Sequence, residues 1–141
     1  TINLCELLFY KNTKMSKEEI AKEFRFVPRQ ADYYGNSALY FNLVNYSEDK
    51  RYNLTELGEK IFSKPIEQRQ FELVSLIMKY EPFNIVMKSY LTNGVCPTVE
   101  EVKSLIRDCK LHGVGKDKTT FGRRCSTVIT WTNWILDRVE V

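Results

Sequence analysis

Between Lys110 and Arg124 the sequence sets five cations, Lys110, Lys116, Lys118, Arg123 and Arg124, against the single acid Asp117, in a chain whose net formal charge is only +3. The basic run leads into Arg123, Ser126, Thr127 and Thr130, whose spacing puts them on the outer face of one predicted helix, with Arg124 on its shoulder. An arginine offers paired donors that match O6 and N7 of guanine, and small hydroxyls suit phosphates or either kind of base edge. The start of such a helix adds a partial positive charge and free N–H groups for a phosphate. A merely solvated helix end is the competing reading of the two arginines.

A second group has related chemistry. Arg29, Gln30, Tyr33 and Asn36 fall on one side of another predicted helix, with Lys14, Lys17 and Arg25 nearby in sequence. Asn and Gln can pair bidentately with adenine, and tyrosine can touch the backbone or stack. An aromatic-rich face serves equally well as packing between lobes. Lys50 and Arg51 lie near the tip of a predicted hairpin, where they would meet phosphates, although any solvated turn carries such charges.

Other chemistries lack their residues. The only histidine is His112, in the basic loop, and no spacing brings it to a Ser or Cys nucleophile, so no catalytic centre is expected in this chain. Glu48-Asp49-Lys50 and Glu101-Val102-Lys103 superficially match the Glu-x-Lys of metal-dependent nucleases. That chemistry needs a strand beside another carboxylate, whereas these lie in a turn and a helix. Cys5, Cys96, Cys109 and Cys125 are widely separated without a C-x-x-C pair, which predicts no metal site and free thiols in a reducing cytoplasm. No phosphate-binding glycine motif points to a cofactor, and no apolar run approaches the roughly 18 residues of a membrane span.

The elements that would position these residues follow from periodicity and capping. Leu4, Leu7, Leu8 and Phe9 mark a first helix. Ser16 and Glu19 form a capping box before a second, which carries Ile20, Ala21 and Phe24. Pro28 opens a third, predicted to run to about Leu43 with Ala31, Tyr34, Ala38 and Phe41 inward. Asn45–Leu54 reads as a hairpin turning at Glu48-Asp49-Lys50, and a short helix begins at Thr55. Three helices followed by a hairpin is the winged-helix order.

The second half repeats the plan. Ile66, Phe71, Val74, Ile77 and Met78 recur with helical spacing, Pro82 opens a further helix, and Thr98 with Glu101 forms another capping box. A helix from about Thr120 to Asp137 turns Phe121, Cys125, Val128, Thr132 and Ile135 inward. Ser16–Ile20 parallels Thr98–Val102, and Arg29–Val44 parallels Arg123–Arg138, as two copies of one supersecondary unit would. The expected architecture is mainly α with a small β-hairpin wing: two tandem winged-helix units, residues 1–64 and 65–141. The final Arg138-Val139-Glu140-Val141 alternates as a strand does, from which a second wing beyond the chain, and a larger parent protein, are expected.

Arg29-Gln30-Ala31-Asp32-Tyr33-Tyr34, Tyr52-Asn53-Leu54-Thr55-Glu56-Leu57-Gly58 and Thr120–Val128 resemble the tandem winged-helix DNA-recognition regions of bacterial type II restriction endonucleases and related uncharacterised proteins. The Tyr-x-Leu-Thr-x-x-Gly pattern marks the fold alone, while the Arg-Arg helix followed by Trp131 and Trp134 is narrower. The resemblance implies a region that reads double-stranded DNA while a separate nuclease domain cuts, with Arg123, Arg124, Ser126, Thr127 and Thr130 as the recognition face. Dimerisation through parts outside the chain is compatible with it. A transcriptional regulator and a winged helix that binds protein are the competing readings.

Overall fold

The computed structural model describes residues 1–107 and 118–139. The chain is mainly helical with one small antiparallel sheet, and it divides into two units, Thr1–Leu73 and Val74–Val141. No described helix is long and apolar enough to cross a membrane.

The first unit opens with α1 (Ile2–Lys11), which buries Leu4, Cys5 and Leu8 and ends at Asn12 in the left-handed conformation. Asparagine tolerates that conformation better than most residues. A two-residue strand, β1 (Met15–Ser16), leads directly into α2 (Lys17–Phe24). Ser16 serves both elements: it pairs with Arg51 across the sheet, and its Oγ accepts the Glu19 N–H at 3.2 Å to cap α2. Arg25, left-handed at φ 58°, reverses the chain toward α3 (Pro28–Tyr40), where proline at the first turn sacrifices no helical hydrogen bond.

The expected extension of α3 to Leu43 does not form. Asn42 turns left-handed at φ 59°, and the Asn42 and Leu43 N–H groups donate back to Leu39 and Ala38 carbonyls, closing the helix. This frees Val44 to begin β2 (Val44–Tyr46), which pairs with β3 (Arg51–Leu54) as the hairpin expected from the sequence. β1, which the sequence reading did not include, completes the sheet on the other side of β3, giving the order β1-β3-β2.

Leu54 leads into α4 (Glu56–Phe62) through Thr55, whose Oγ1 accepts the Gly58 N–H at 2.9 Å and donates to the Asn42 carbonyl at 2.7 Å. A Cβ on Gly58 would overlap the Leu43 carbonyl oxygen, so the Tyr-x-Leu-Thr-x-x-Gly pattern has a steric cause here. Ile20, Ala31, Ala38, Phe41, Tyr52, Ile61 and Phe62 are buried in this unit.

α5 (Ile66–Met78) runs across the division between the units. Of the apolar residues that recur with helical spacing, Ile77 is buried, but Ile66 and Phe71 are 63% and 73% exposed, and Leu73 joins Ile77 on the buried side. Leu73 and Ile77 lie one helical turn apart, whereas Phe71 projects from the other side.

In the second unit, α6 (Glu81–Asn93), α7 (Val99–Ile106) and α8 (Lys118–Val139) pack pairwise against one another. Gly94 ends α6 with φ 75°, and Thr98 caps α7 in the expected reciprocal arrangement with Glu101. Val86, Val102, Ile106, Cys125, Val128, Thr132 and Ile135 are buried, whereas Leu105 is 37% exposed. Arg138 and Val139 continue α8 and do not begin a strand. Helix-specific contacts hold this last turn, because the Arg138 guanidinium lies 4.4 Å from the centre of the Trp134 ring, one turn back.

Candidate nucleic-acid interface

α8 is divided lengthwise. Cys125, Val128, Thr132 and Ile135 form its buried side, and Arg123, Ser126, Thr130, Asn133 and Asp137 are exposed along another. Among the described residues Arg123 makes no ion pair. Thr127 and Arg124, expected beside it, are half-buried. The Nε of Arg124 is covered and has no hydrogen-bond partner among the described residues.

From Ser126 onward the hydroxyls of this helix turn inward to its backbone. Ser126 Oγ donates to the Gly122 carbonyl at 3.2 Å, Thr127 Oγ1 to Arg123 at 3.0 Å, and Thr130 Oγ1 to Ser126 at 3.0 Å. Buried Thr132 does the same toward Val128 at 2.8 Å, satisfying a group that would otherwise be costly inside the unit. Beneath Gly122 lies the Lys103 side chain of α7, with its Cε 3.6 Å from where a Cβ would stand. Burial pushes the Cys125 thiol pKa above its ordinary value. Trp131 and Trp134, which follow the arginines, meet edge to face with ring centres 5.5 Å apart. Lys116 and the side chain of Lys118 lie outside the described residues, as does most of the basic run.

In the first unit α3 exposes Arg29, Gln30, Tyr33 and Asn36. The side chain of Gln30 is already in use, since its Oε1 accepts the Val27 N–H at 3.3 Å at the helix start. Rings continue from this face around the α2–α3 turn. Tyr33 meets Tyr34 at 5.3 Å, Tyr34 stacks on Phe26 at 5.9 Å, and Phe26 meets Phe24 at 5.4 Å between centres. Beside them Val27 is 59% exposed and Tyr33 49%.

The hairpin tip separates its two expected cations. Lys50 sits left-handed at φ 61°, exposed and without an ion pair among the described residues. Arg51 is drawn back onto Glu19 of α2 and also lies 3.5 Å from Asp49. Lys14 reaches Asp49 at 3.1 Å, and Lys17 reaches Asp32 at 3.3 Å. Hydrogen bonds from Ser47 and then Lys14 hold the Asp49 carboxyl below its ordinary pKa. Glu19 is also lowered: burial opposes the shift, but hydrogen bonds from Ser16 and Arg51 outweigh it. The hairpin is therefore largely charge-neutralised from within, with Lys50 left as an outward cation.

A family model described as Domain of unknown function (DUF7226) matches residues 1–140. The chain belongs to the DUF7226 family. Searches of curated proteins and of solved structures give no match. The family match spans both units, so the exposed faces of α3 and α8 belong to a single family domain.

The pairing of Arg51 with Glu19, 32 residues away, was not legible in the sequence, nor was the inward turn of the α8 hydroxyls. Asp137 also belongs to the α8 stripe, one helical step beyond Asn133.

Proposed function

We propose that this chain binds double-stranded DNA, with a winged helix as its first unit and a helix-turn-helix as its second, and that α8 is the principal reading helix. The carrying observation is the exposed stripe of Arg123, Ser126 and Thr130 on a helix whose other side is packed against α6 and α7. A firmly seated helix presenting a cation and small polar groups at successive turns suits contact with a DNA groove. The order α1-β1-α2-α3-β2-β3, with sheet order β1-β3-β2, supports the winged-helix assignment of the first unit. Exposed Arg29 and Asn36 on α3 and Lys50 at the hairpin tip provide additional contacts. The narrower form of this reading is a DNA-recognition region of a type II restriction endonuclease, to which the sequence bears its resemblance.

Titration of the chain with labelled duplex DNA at low and moderate salt is the test. Affinity should fall steeply as salt rises, because each neutralised phosphate releases condensed counterions. Absence of binding at low salt overturns the proposal.

The aromatic array from Phe24 to Tyr34 favours a second reading for the first unit, as a surface for a protein partner. Exposed rings and Val27 are ordinary at the centre of a protein interface and unusual on a groove-reading face. Binding to a protein that persists as salt rises, with no duplex shift at low salt, selects this reading.

A further inference from the structure

The exposed stripe of α8 changes hydrogen-bonding character along its length. Arg123 can only donate. At Ser126 and Thr130 the single hydroxyl proton is already committed, at 3.2 Å to the Gly122 carbonyl and at 3.0 Å to the Ser126 carbonyl, so these exposed oxygens face outward as acceptors. A serine or threonine is ordinarily ambiguous toward a base edge because its hydroxyl can donate or accept. The back-bond removes the ambiguity, since turning the proton outward would forfeit the bond to the helix carbonyl. Asp137, further along the same stripe, is exposed and bears a carboxylate that repels phosphate, so DNA contact is confined to the preceding turns.

From this order we infer that α8 discriminates bases by polarity: Arg123 takes the acceptor edge of a guanine, and Ser126 and Thr130 accept from the exocyclic amines of adenine or cytosine. The inference rests on the DNA-binding reading of α8 and specifies what that helix selects. At 1.5 Å of rise per residue, Arg123 and Thr130 are separated by roughly 10 Å along the axis. That is about three base steps of 3.4 Å, so the guanine and the amine-bearing base lie within one short run. Thr127 makes the same back-bond but is half-buried and off the stripe, so it has no part in the selection.

The test begins with selection of preferred duplexes from a randomised library by the full chain at low salt. Each adenine in the preferred site is then replaced by purine, which lacks the 6-amine, and each cytosine by a pyrimidine lacking the 4-amine. Removal of the contacted amine should weaken binding about tenfold or more. Thr130→Val keeps the shape but removes the acceptor, and should abolish this discrimination at one position while preserving the guanine preference; Thr130→Ser should restore it. Circular dichroism verifies that each variant is folded. If Thr130→Val and Ser126→Ala both retain the amine preference, or if the preferred site presents carbonyl acceptors there, the polarity inference is overturned while duplex binding stands. Failure to recover any duplex overturns the DNA-binding reading itself.

Discussion

The Tyr52 hydroxyl donates to Asp32 Oδ1 at 2.9 Å, joining the central strand β3 to helix α3, and the same carboxylate holds Lys17 at 3.3 Å. The buried Tyr52 ring lies directly over Gly35, where a Cβ would overlap Tyr52 Cζ. Burial, followed by the Asp32 bond, pushes the Tyr52 pKa well above the ordinary phenol value. The outer face of α3 therefore takes its position from a contact on the inner one.

Gly35→Ala is expected to destabilise the first unit. Alanine improves helix propensity by about 0.5–1 kcal/mol, but overpacking against a buried ring costs about 1–3 kcal/mol, and the second effect wins. Tyr52→Phe should cost less, about 1 kcal/mol, because Asp32 retains Lys17. Urea unfolding followed by far-UV circular dichroism measures both; an unchanged midpoint for Gly35→Ala would contradict the close approach.

On α8, Arg123→Ala should reduce affinity for a preferred duplex more than Arg29→Ala does. A guanine contact predicts a loss of about 1–3 kcal/mol restricted to that site, whereas a phosphate contact weakens all sequences alike and flattens the salt slope. Equal losses for the two variants would remove α8 from its leading place.

Acid should loosen the hairpin before it unfolds the first unit. Asp49 and Glu19 titrate lower in the folded chain than their ordinary values, so their contribution is present above the ordinary carboxylate range and is lost as pH falls through the folded pKa values. Amide protection factors at Ser47–Arg51, corrected for the intrinsic slowing of exchange in acid, should fall in that acidic window. Glu19→Gln should remove part of this loss, and a hairpin whose protection factors do not change with acid would show that the ion pairs contribute nothing.

Thiol reactivity should separate the cysteines. Burial raises the Cys5 pKa to about 12 and also raises that of buried Cys125, leaving little thiolate at neutral pH. Half-buried Cys96 should therefore be alkylated before either. Mass mapping after brief exposure to iodoacetamide gives the order, and early labelling of Cys5 would contradict its burial.

Local signals were legible wherever one residue determines one feature. Ser16 and Thr98 announced their helices because a side-chain acceptor satisfies a free N–H three residues later, and Pro28 marked the start of α3. The hairpin was legible despite Lys50, an unfavourable residue for its left-handed position. β1 was not, because two residues cannot establish a period and Met15 joins the sheet through its long-range pairing with Tyr52. At the candidate site, helical spacing placed Arg123, Ser126 and Thr130 on the outside. The engagement of Gln30 in a helix start and of Arg51 with Glu19 depends on geometry that composition and spacing do not encode.

Trp131 and Trp134 are the chain's two tryptophans, and both lie on α8. Emission excited at the red edge of aromatic absorption therefore reports the second unit alone, while the first unit remains spectroscopically silent. With Arg138 over the Trp134 ring, that emission is also sensitive to the final helical turn. The distribution of two indoles thus makes the molecule its own selective optical probe: a mismatch between the fluorescence and circular-dichroism melting curves would measure directly how far the units melt independently.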